Sequence, residues 1–308
     1  MEDFPKNLAE LEKRFSSEDA CRKYLYSLRW QDGFICPRCG CRKEWKMSNG
    51  LLLCSGCRRQ VSVIQDTIFQ DSHLPLTTWF RAIWHVCVQK NGASALGLQR
   101  ALGLGSYETA WMCLHKLRKA MVRPGREKLG GSVEVDETFL GGEKPGKRGR
   151  GAEGKTLVLI AAEQKGENIG RIRLAHINDA SSKTINAALS NMVEPGSIIT
   201  TDNWSGYSRL KDIRCEHKIV RSFSSVGEDL LPRCHRVASL MKRWIMGTLQ
   251  GSLSEKHLPD YLNEFTFRFN RRASASRGKL FYRLAQMSVQ VKATPYAKII
   301  KTPPVGGG

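Results

Sequence analysis

Residues 132–139 read SVEVDETF, and their alternation of apolar and polar residues predicts a β-strand with one buried face. The run TLVLIAAE at 156–163 is continuously apolar, which is typical of a buried strand, and IGRIRLAHI at 169–177 alternates again. Three strands in succession predict that the second half of the chain is built around a β-sheet.

Helix and strand patterns alternate after these three strands. The predicted elements are a helix at 181–192, a strand IITTD at 198–202, a helix NWSGYSRL at 203–210, a strand EHKIV at 216–220, and helices near 235–247 and 255–271. The order of three strands, helix, strand, helix, strand and helix is the layout of the ribonuclease H-like fold. We therefore predict an α/β fold in which helices flank a mixed sheet.

Two CxxC pairs precede this region, Cys36-Pro-Arg-Cys39 and Cys54-Ser-Gly-Cys57. The short spacing within each pair lets two thiolates reach one ion from the same turn, and four thiolates suit tetrahedral Zn²⁺. The segment KEWKMSNGLLLC between the pairs predicts a hairpin with Asn49-Gly50 at its tip. We predict a zinc ribbon with one structural Zn²⁺; a redox pair and four unrelated buried thiols are the alternatives.

The stretch SALGLQRALGLGSYETAWMCLHKLRKAM at 94–121 has the outline of a helix-turn-helix. A short helix is followed by a break at Gly103–Gly105 and by a longer helix that Ser106 caps. Lys116, Arg118 and Lys119 lie off the apolar stripe of the second helix and are candidate DNA contacts. An ordinary helical hairpin with a solvated basic face explains the pattern equally well.

Charge points to a polyanionic partner. The 308 residues include 49 Lys and Arg against 29 Asp and Glu, a net charge of +20, which favours nucleic acid over a membrane surface. The glycine-rich stretch GGEKPGKRGRGAEGK at 141–155 adds Lys147, Arg148 and Arg150 as candidate phosphate contacts, with a solvated hairpin as the alternative.

Two aspartates are candidates for metal binding. Asp136 lies within the first predicted strand and Asp202 ends the fourth, and these strands are neighbours in the predicted fold. Carboxylates that meet at a sheet edge can hold hard divalent cations for phosphoryl transfer. Glu134 is expected on the same face as Asp136, and Glu137 on the opposite face. Taken singly, each Asp is also a common turn or cap residue.

The stretch CHRVASLMKRW at 234–244 has helical spacing. At about 100° per residue, His235 and Lys242 lie within about 20° of each other around the helix axis. Val237, Leu240, Met241, Trp244 and Ile245 form the predicted core stripe on the other side. The pair is either a metal-binding or acid–base group with a DNA-binding lysine, or part of a solvated helix face.

Several motifs together carry a family resemblance: FICPRCG, LLLCSGCRRQVSV, VEVDETFLGG, TTDNWSGY, HRVASLMKRWIMGT and KHLPDYLNEFTFRFNRR. Over nearly its whole length the chain resembles bacterial insertion-sequence transposases with a zinc ribbon and a DDE-superfamily catalytic domain. The resemblance implies two catalytic ions, Mg²⁺ or Mn²⁺, held by Asp136, Asp202 and His235, with Lys242 on DNA. It further implies binding of terminal repeats, strand cleavage and strand transfer, and a homo-oligomer on DNA.

The third catalytic position departs from the family pattern, which typically has Glu there, whereas this chain has His235. Imidazole coordinates divalent ions but suits softer metals than magnesium, and the site loses one negative charge. Either an Asp-Asp-His set is active, which the intact surrounding motif favours, or the chain is a domesticated or inactive DNA-binding relative. Glu228 and Asp229 are nearby carboxylates that could supply the missing charge.

These patterns divide the chain into four predicted ranges. They are 1–70 for the N-terminal helix and ribbon, 71–128 for the helix-turn-helix-like segment, 129–290 for the catalytic domain and 291–308 for a disordered tail. No long apolar run and no signal-peptide pattern occur, so we expect a cytoplasmic, nucleoid-associated protein.

Overall fold

A computed structural model describes residues 2–141, 156–221, 229–250 and 254–300. It divides into two compact units, Met1–Gly125 with Ser274–Gly308, and Arg126–Ala273. Among the described residues, no helix has the length and apolar character required to cross a lipid bilayer.

The elements are named here in chain order. The helices are α1 Leu8–Arg14, α2 Glu18–Arg29, α3 Leu76–Val88, α4 Ala95–Leu102, α5 Tyr107–Ala120, α6 Ser182–Met192, α7 Pro232–Leu249, α8 Leu258–Phe269, α9 Arg277–Ser288 and α10 Tyr296–Ile300. The strands are β1 Glu44–Lys46, β2 Leu52–Cys54, β3 Gln60–Val61, β4 Ser132–Leu140, β5 Thr156–Lys165, β6 Asn168–Ile177, β7 Ile198–Thr201 and β8 Glu216–Ile219.

The first unit contains a small antiparallel sheet, β1-β2-β3. Its first hairpin turns at Gly50, which has a φ of +80° that glycine adopts without strain. The helix-turn-helix outline is also present: Gly103 ends α4 with a φ of +62°, and the Ser106 side chain accepts a hydrogen bond from the backbone of Thr109 to cap α5. The predicted hairpin and both predicted helices are confirmed.

The predicted boundary at residue 290 does not coincide with the division into units. Helix α9 packs in the first unit, where Phe281 is fully buried among the rings of Phe15, Tyr24, Phe80 and Trp84. These aromatic partners lie far away in sequence, so local periodicity gave no sign of the association. The segment expected to be disordered contains α10, whose Ile299 is buried; residues 301–308 lie outside the described part.

The second unit is built on a five-stranded mixed sheet in the order β6-β5-β4-β7-β8. Strands β4, β5 and β6 form an antiparallel meander, whereas β7 runs parallel to β4, and β8 parallel to β7. The predicted α/β class with a mixed sheet is confirmed. NWSGYSRL forms two short 3₁₀ segments instead of one helix.

Helices cover both faces of this sheet. On one face α6 packs over the odd-numbered residues of β4 and β5; its core includes Val133, Val135, Leu157, Leu159, Ile185 and Leu189. On the other face α7 and α8 pack over the even-numbered residues; this core includes Val158, Ile160, Val237, Met241, Leu262 and Phe265. The even-numbered Glu134 and Asp136 therefore face α7.

Candidate zinc centre and candidate active site

Four cysteine side chains in the ribbon converge on one point. Their sulfur atoms all lie within 4.8 Å of one another, with Cys36 Sγ 3.7 Å from Cys57 Sγ and Cys39 Sγ 3.6 Å from Cys54 Sγ. A tetrahedron with Zn–S bonds of about 2.3 Å separates its sulfurs by about 3.8 Å. The donor set and its spacing therefore fit Zn²⁺.

Backbone groups of the first CxxC turn favour a thiolate. Burial opposes ionisation of Cys36, but the backbone N–H groups of Arg38 and Cys39 donate to its sulfur, and the net effect lowers its pKa to about 6. Metal binding requires the thiolate, which these backbone N–H groups favour at Cys36. Cys41 lies close by, with its sulfur 3.4 Å from Ser55 Oγ, but it is not one of the four converging ligands.

In the second unit, Asp136 and Asp202 come from neighbouring parallel strands. Glu134 pairs with Thr200, and the two aspartates each follow this pair by two residues. Equal offsets along parallel strands place the two side chains on the same face of the sheet. The charge of Asp202 contributes to raising the pKa of Asp136, so the two carboxylates interact.

The environment of Asp136 disfavours an unaccompanied negative charge. Its side chain is 19% exposed. Burial, and next the negative charge of Glu137, raise the pKa of Asp136 to about 6, although His235 acts in the opposite direction. A cation at this edge would stabilise the ionised form, and carboxylate oxygens are the ligands that hard divalent ions prefer.

Glu134 holds the first turn of α7 on the sheet. The N-cap residue of α7, Leu231, offers no side-chain acceptor. Instead, the buried Glu134 carboxylate accepts hydrogen bonds from the backbone N–H groups of Arg233 at 2.8 Å and Cys234 at 3.2 Å, and from the Arg233 guanidinium at 2.6 Å. A carboxylate at a helix N-terminus satisfies unpaired N–H groups and complements the helix dipole.

His235 follows this capped turn directly, and its ring faces the carboxylates. Nε2 lies 3.4 Å from Asp136 Oδ2, while Nδ1 hydrogen-bonds Asp229 Oδ1. Asp229 also accepts from the backbone N–H of Leu231 at 3.3 Å, which ties it to the start of α7. One ring nitrogen is thus held by a carboxylate, and the other is directed toward Asp136.

The three side chains are spaced more widely than the cysteines. In the described structure, the ligand atoms of Asp136, Asp202 and His235 do not all lie within 4.8 Å of one another. Asp136 interacts with both of the other side chains, because the charges of His235 and Asp202 each affect its pKa. Lys242 is exposed on α7, two turns beyond His235 on the same side.

Comparisons with known proteins identify the family of the chain. Residues 128–270 match the ISXO2-like transposase domain, and residues 16–60 match the transposase zinc-ribbon domain. The chain belongs to the zinc-ribbon insertion-sequence transposases.

The transposase is also similar to a curated archaeal protein. It is 25% identical over 281 residues to an uncharacterized protein in transposable element ISH50 of Halobacterium salinarum, covering 83% of this chain and 92% of that protein. A solved structure, the simian T-cell lymphotropic virus intasome with a PP2A regulatory subunit, aligns with a TM-score of 0.32 at 13% identity, covering 68% of this chain and 76% of that one. A TM-score this low is not evidence of a shared fold.

Two of the predicted DNA contacts are buried in the transposase. The Lys116 ammonium donates to the backbone carbonyl of Gln70 at 2.9 Å, and Arg118 donates to the carbonyl of Ala93 at 3.3 Å; these side chains are 7% and 2% exposed. The expectation of an exposed basic face is wrong for these two residues, because their long side chains reach backbone acceptors from other segments. Lys119 is half-buried.

Some predictions fall on residues that the structure does not describe. Lys147, Arg148 and Arg150 lie outside the described residues, as does Glu228.

The capping role of Glu134 was not foreseen. A signal existed: α7 begins with Pro232 after a leucine, so the helix start lacks a cap of its own. Such a start requires an acceptor from elsewhere in the fold, but the sequence does not say from where. Asp229 was named only as a nearby carboxylate, whereas its contact with the His235 ring is visible only in the structure.

Proposed function

We propose that this transposase binds the terminal inverted repeats of its element, cleaves the element ends and joins the freed 3′ hydroxyls to target DNA. The proposal assigns two Mg²⁺ or Mn²⁺ ions to Asp136, Asp202 and His235. One observation carries it: Asp136 on β4 and Asp202 just after the parallel strand β7 each follow a paired position by two residues, and the His235 ring lies 3.4 Å from Asp136.

The donor set supports two ions better than one. Two ions in such sites lie about 3.5–4 Å apart, so their ligands spread over a wider region than those of a single ion. The spacing of the three side chains is compatible with that requirement. When bound, the ions would stabilise the attacking and leaving oxygens of an in-line displacement.

The contact between Asp229 and His235 supports an active Asp-Asp-His set. A carboxylate on Nδ1 favours the tautomer with its proton on that nitrogen and leaves Nε2 with a lone pair toward Asp136. Asp229 also brings a negative charge to the group, in place of the one that a Glu at position 235 would carry. Carboxylate–histidine pairs of this kind orient metal-binding imidazoles in many proteins.

Further residues are assigned to the DNA. The exposed Lys242 lies two turns along α7 from His235, within reach of a strand held at the carboxylates. Lys119 and the zinc ribbon are assigned to the terminal repeats of the double-stranded DNA. Lys147, Arg148 and Arg150 are assigned to its phosphates on the basis of sequence. A homo-oligomer that pairs two ends, and a location at the nucleoid, follow from the same proposal.

The test is strand transfer with the element's own ends in Mg²⁺ and in Mn²⁺. We expect Asp136→Asn and Asp202→Asn to abolish product while end binding persists. Asp179→Asn is the matched control, because it is the same change at an exposed aspartate outside the site, which accepts a hydrogen bond from the backbone N–H of Ser181 at 2.8 Å. Full activity of both aspartate variants would refute the proposal.

A second candidate function is DNA binding without cleavage, and the histidine at the third position is the observation that favours it. In that case the wild type is silent and His235→Glu restores activity. Loss of an existing activity on His235→Ala contradicts it. Higher activity with Mn²⁺ than with Mg²⁺ agrees with an imidazole ligand, whereas equal activity weakens that assignment.

A further inference from the structure

One aromatic residue of the zinc ribbon is placed differently from the others. Trp30 and Phe34 are 8% and 1% exposed and pack against each other with ring centroids 5.1 Å apart. Trp45, at the centre of β1, is 49% exposed. It pairs across the sheet with Leu53, which pairs with Gln60, so these three side chains lie in a row on one face. We call this row, together with Arg58, the ribbon face.

The guanidinium of Arg58 lies over the Trp45 ring, with its central carbon 4.7 Å from the ring centroid. This distance is typical of a cation–π contact, for which arginine is the more frequent cation. About half of the indole surface stays open to solvent beside the guanidinium. The pair therefore exposes an aromatic ring and a guanidinium side by side, and we call it the Trp45–Arg58 platform.

The backbone at Arg58 is unusual for an arginine. The two CxxC turns are equivalent: the residue after each second cysteine donates its N–H to the carbonyl of the first, at 2.9 Å for Gly40 and 3.0 Å for Arg58. Gly40 has a φ of +71°, and Arg58 has a φ of +57°. A positive φ is disfavoured for a residue with a side chain, and such positions concentrate at functional sites. Arg58 thus occupies the position at which the other CxxC turn has Gly40, and glycine is the residue that a positive φ favours.

The surroundings of the platform are strongly basic. Besides Arg58, five cations of the ribbon are exposed: Arg38, Arg42, Lys43, Lys46 and Arg59. Among the described residues none of these six forms an ion pair. The neighbouring acid, Glu44, accepts a hydrogen bond from the Tyr26 hydroxyl at 2.7 Å. The cations thus remain available for phosphates.

We propose that the ribbon face binds an unpaired nucleotide of the DNA, with the base stacked on the Trp45–Arg58 platform and its phosphates on the adjacent cations. Bases within a duplex present only their edges, so an exposed planar platform finds a stacking partner only where a base is unpaired. Aromatic platforms beside cations are the general means of binding single strands. The proposal rests on the proposed function only in taking DNA as the partner.

The experiment uses the full-length, zinc-loaded protein and fluorescence anisotropy, with all variants compared at the same series of salt concentrations. Three labelled probes are compared: a blunt duplex of the element end, the same duplex with a single-stranded thymine extension, and a blunt duplex of unrelated sequence. We expect the wild type to bind the extended duplex most tightly. Trp45→Ala should weaken binding of the extended duplex about tenfold while leaving the blunt duplex nearly unchanged.

Arg58→Gly separates binding from folding. Because it replaces a disfavoured backbone position with glycine, zinc content and thermal stability should stay equal or rise, while affinity for the extension falls. Arg58→Lys should recover only part of the affinity, since it keeps the charge but not the plane. Lys46→Gln is the matched control, expected to weaken all probes by a similar factor and to lower their salt dependence.

The outcomes distinguish the two proposals. Equal losses on blunt and extended duplexes for Trp45→Ala, or an Arg58→Gly variant with unchanged affinity for the extension, overturn the unpaired-nucleotide proposal. A wild type that binds the element end no better than the unrelated duplex counts against recognition of terminal repeats. In that event the comparison of extended with blunt probes still decides the role of the ribbon face.

Discussion

The zinc ribbon and the proposed carboxylate site bring their residues together in opposite ways. The four converging cysteines lie between residues 36 and 57, and two short turns bring them together. The carboxylate site combines a residue of β4, a residue after β7 and a residue of α7, and the cap that places α7 joins residues 99 positions apart. The four cysteines form a local cluster, whereas the residues of the carboxylate site come together only when the sheet and α7 are folded.

This difference predicts opposite responses to the loss of metal. The ribbon has only three short strands of two or three residues each, so its fold depends on the ion. The carboxylates stand on long strands with a core on either face, so the site should persist without ions.

Removal of a zinc ligand should have the largest effect. Structural Zn²⁺ supplies about 10–16 kcal/mol in small zinc domains. Cys54→Ser should therefore abolish bound zinc and expose the amides of β1–β3 to hydrogen exchange, while β4 and β5 stay protected. Cys41→Ser, a nearby cysteine outside the ligand set, should keep its zinc. Protected ribbon amides in zinc-free protein would show that the ribbon folds without its ion.

Neutralising Asp136 should separate activity from stability. Asp136→Asn is expected to reduce strand transfer by at least about 10³-fold, a loss typical of removing a key electrostatic group. In metal-free protein it should raise the free energy of unfolding by up to about 3 kcal/mol, because the folded-state pKa near 6 lies above its ordinary value of 3.8. This gain should appear above pH 6 and fade as the pH falls. Chemical denaturation with and without Mn²⁺ measures it.

Removing the cap of α7 should destabilise the second unit by about 3–5 kcal/mol, because Glu134→Ala leaves a largely buried Arg233 without its carboxylate. Glu134→Gln should cost less, since its amide oxygen still accepts from the helix backbone. Urea denaturation provides the comparison. If the double change Glu134→Ala with Arg233→Met is no more stable than the single change, the unpaired charge is not the cause.

Breaking the Asp229–His235 contact should have a smaller effect than the changes described so far. Asp229→Asn is expected to weaken Mn²⁺ binding by about 10–100-fold, as seen for other carboxylates that orient metal-binding imidazoles. Electron paramagnetic resonance of free Mn²⁺ gives the affinity independently of activity. Asp179→Asn, an aspartate that accepts from Ser181 at the start of α6, is the control. Equal affinities in wild type and Asp229→Asn would exclude an orienting role.

The smallest effect concerns the strand beside Asp202. Burial lowers the pKa of His217, whose Nε2 lies 2.8 Å from Thr201 Oγ1. The folded state therefore favours the neutral ring, and stability should decrease as the pH falls through the ordinary histidine pKa of about 6.5. Solvent screening of the half-exposed ring keeps the change small. His217→Gln should flatten this part of the curve, and an unchanged slope would assign it to other groups.

Regular patterns were predicted well because they depend on local spacing. The apolar stripe of α7 is confirmed, with Val237, Met241 and Ile245 buried and Leu240 and Trp244 partly buried. The strands of the mixed sheet and the hairpin of the ribbon are confirmed for the same reason. Metal binding by Asp136, Asp202 and His235 stays a prediction, although two of the side chains lie 3.4 Å apart.

The wrong predictions of exposure concern long side chains that hydrogen-bond to segments distant in the sequence. Lys116 and Arg118 have the sequence pattern of a solvated helix face, but backbone carbonyls of Gln70 and Ala93 accept their protons in the interior. Periodicity shows on which side of the helix a side chain projects, but it does not show which groups of the fold the side chain meets there.

By itself the sequence determined the strand and helix pattern, the four-cysteine cluster and the identity of the residues at the carboxylate edge. Each of these depends on spacing over a few residues or on a recognisable motif. Only the tertiary structure decided that Glu134 caps α7, that Asp229 holds the His235 ring and that α9 packs with the first unit. Those contacts join segments that are distant in the chain, and their partners are selected by the packing of the whole fold.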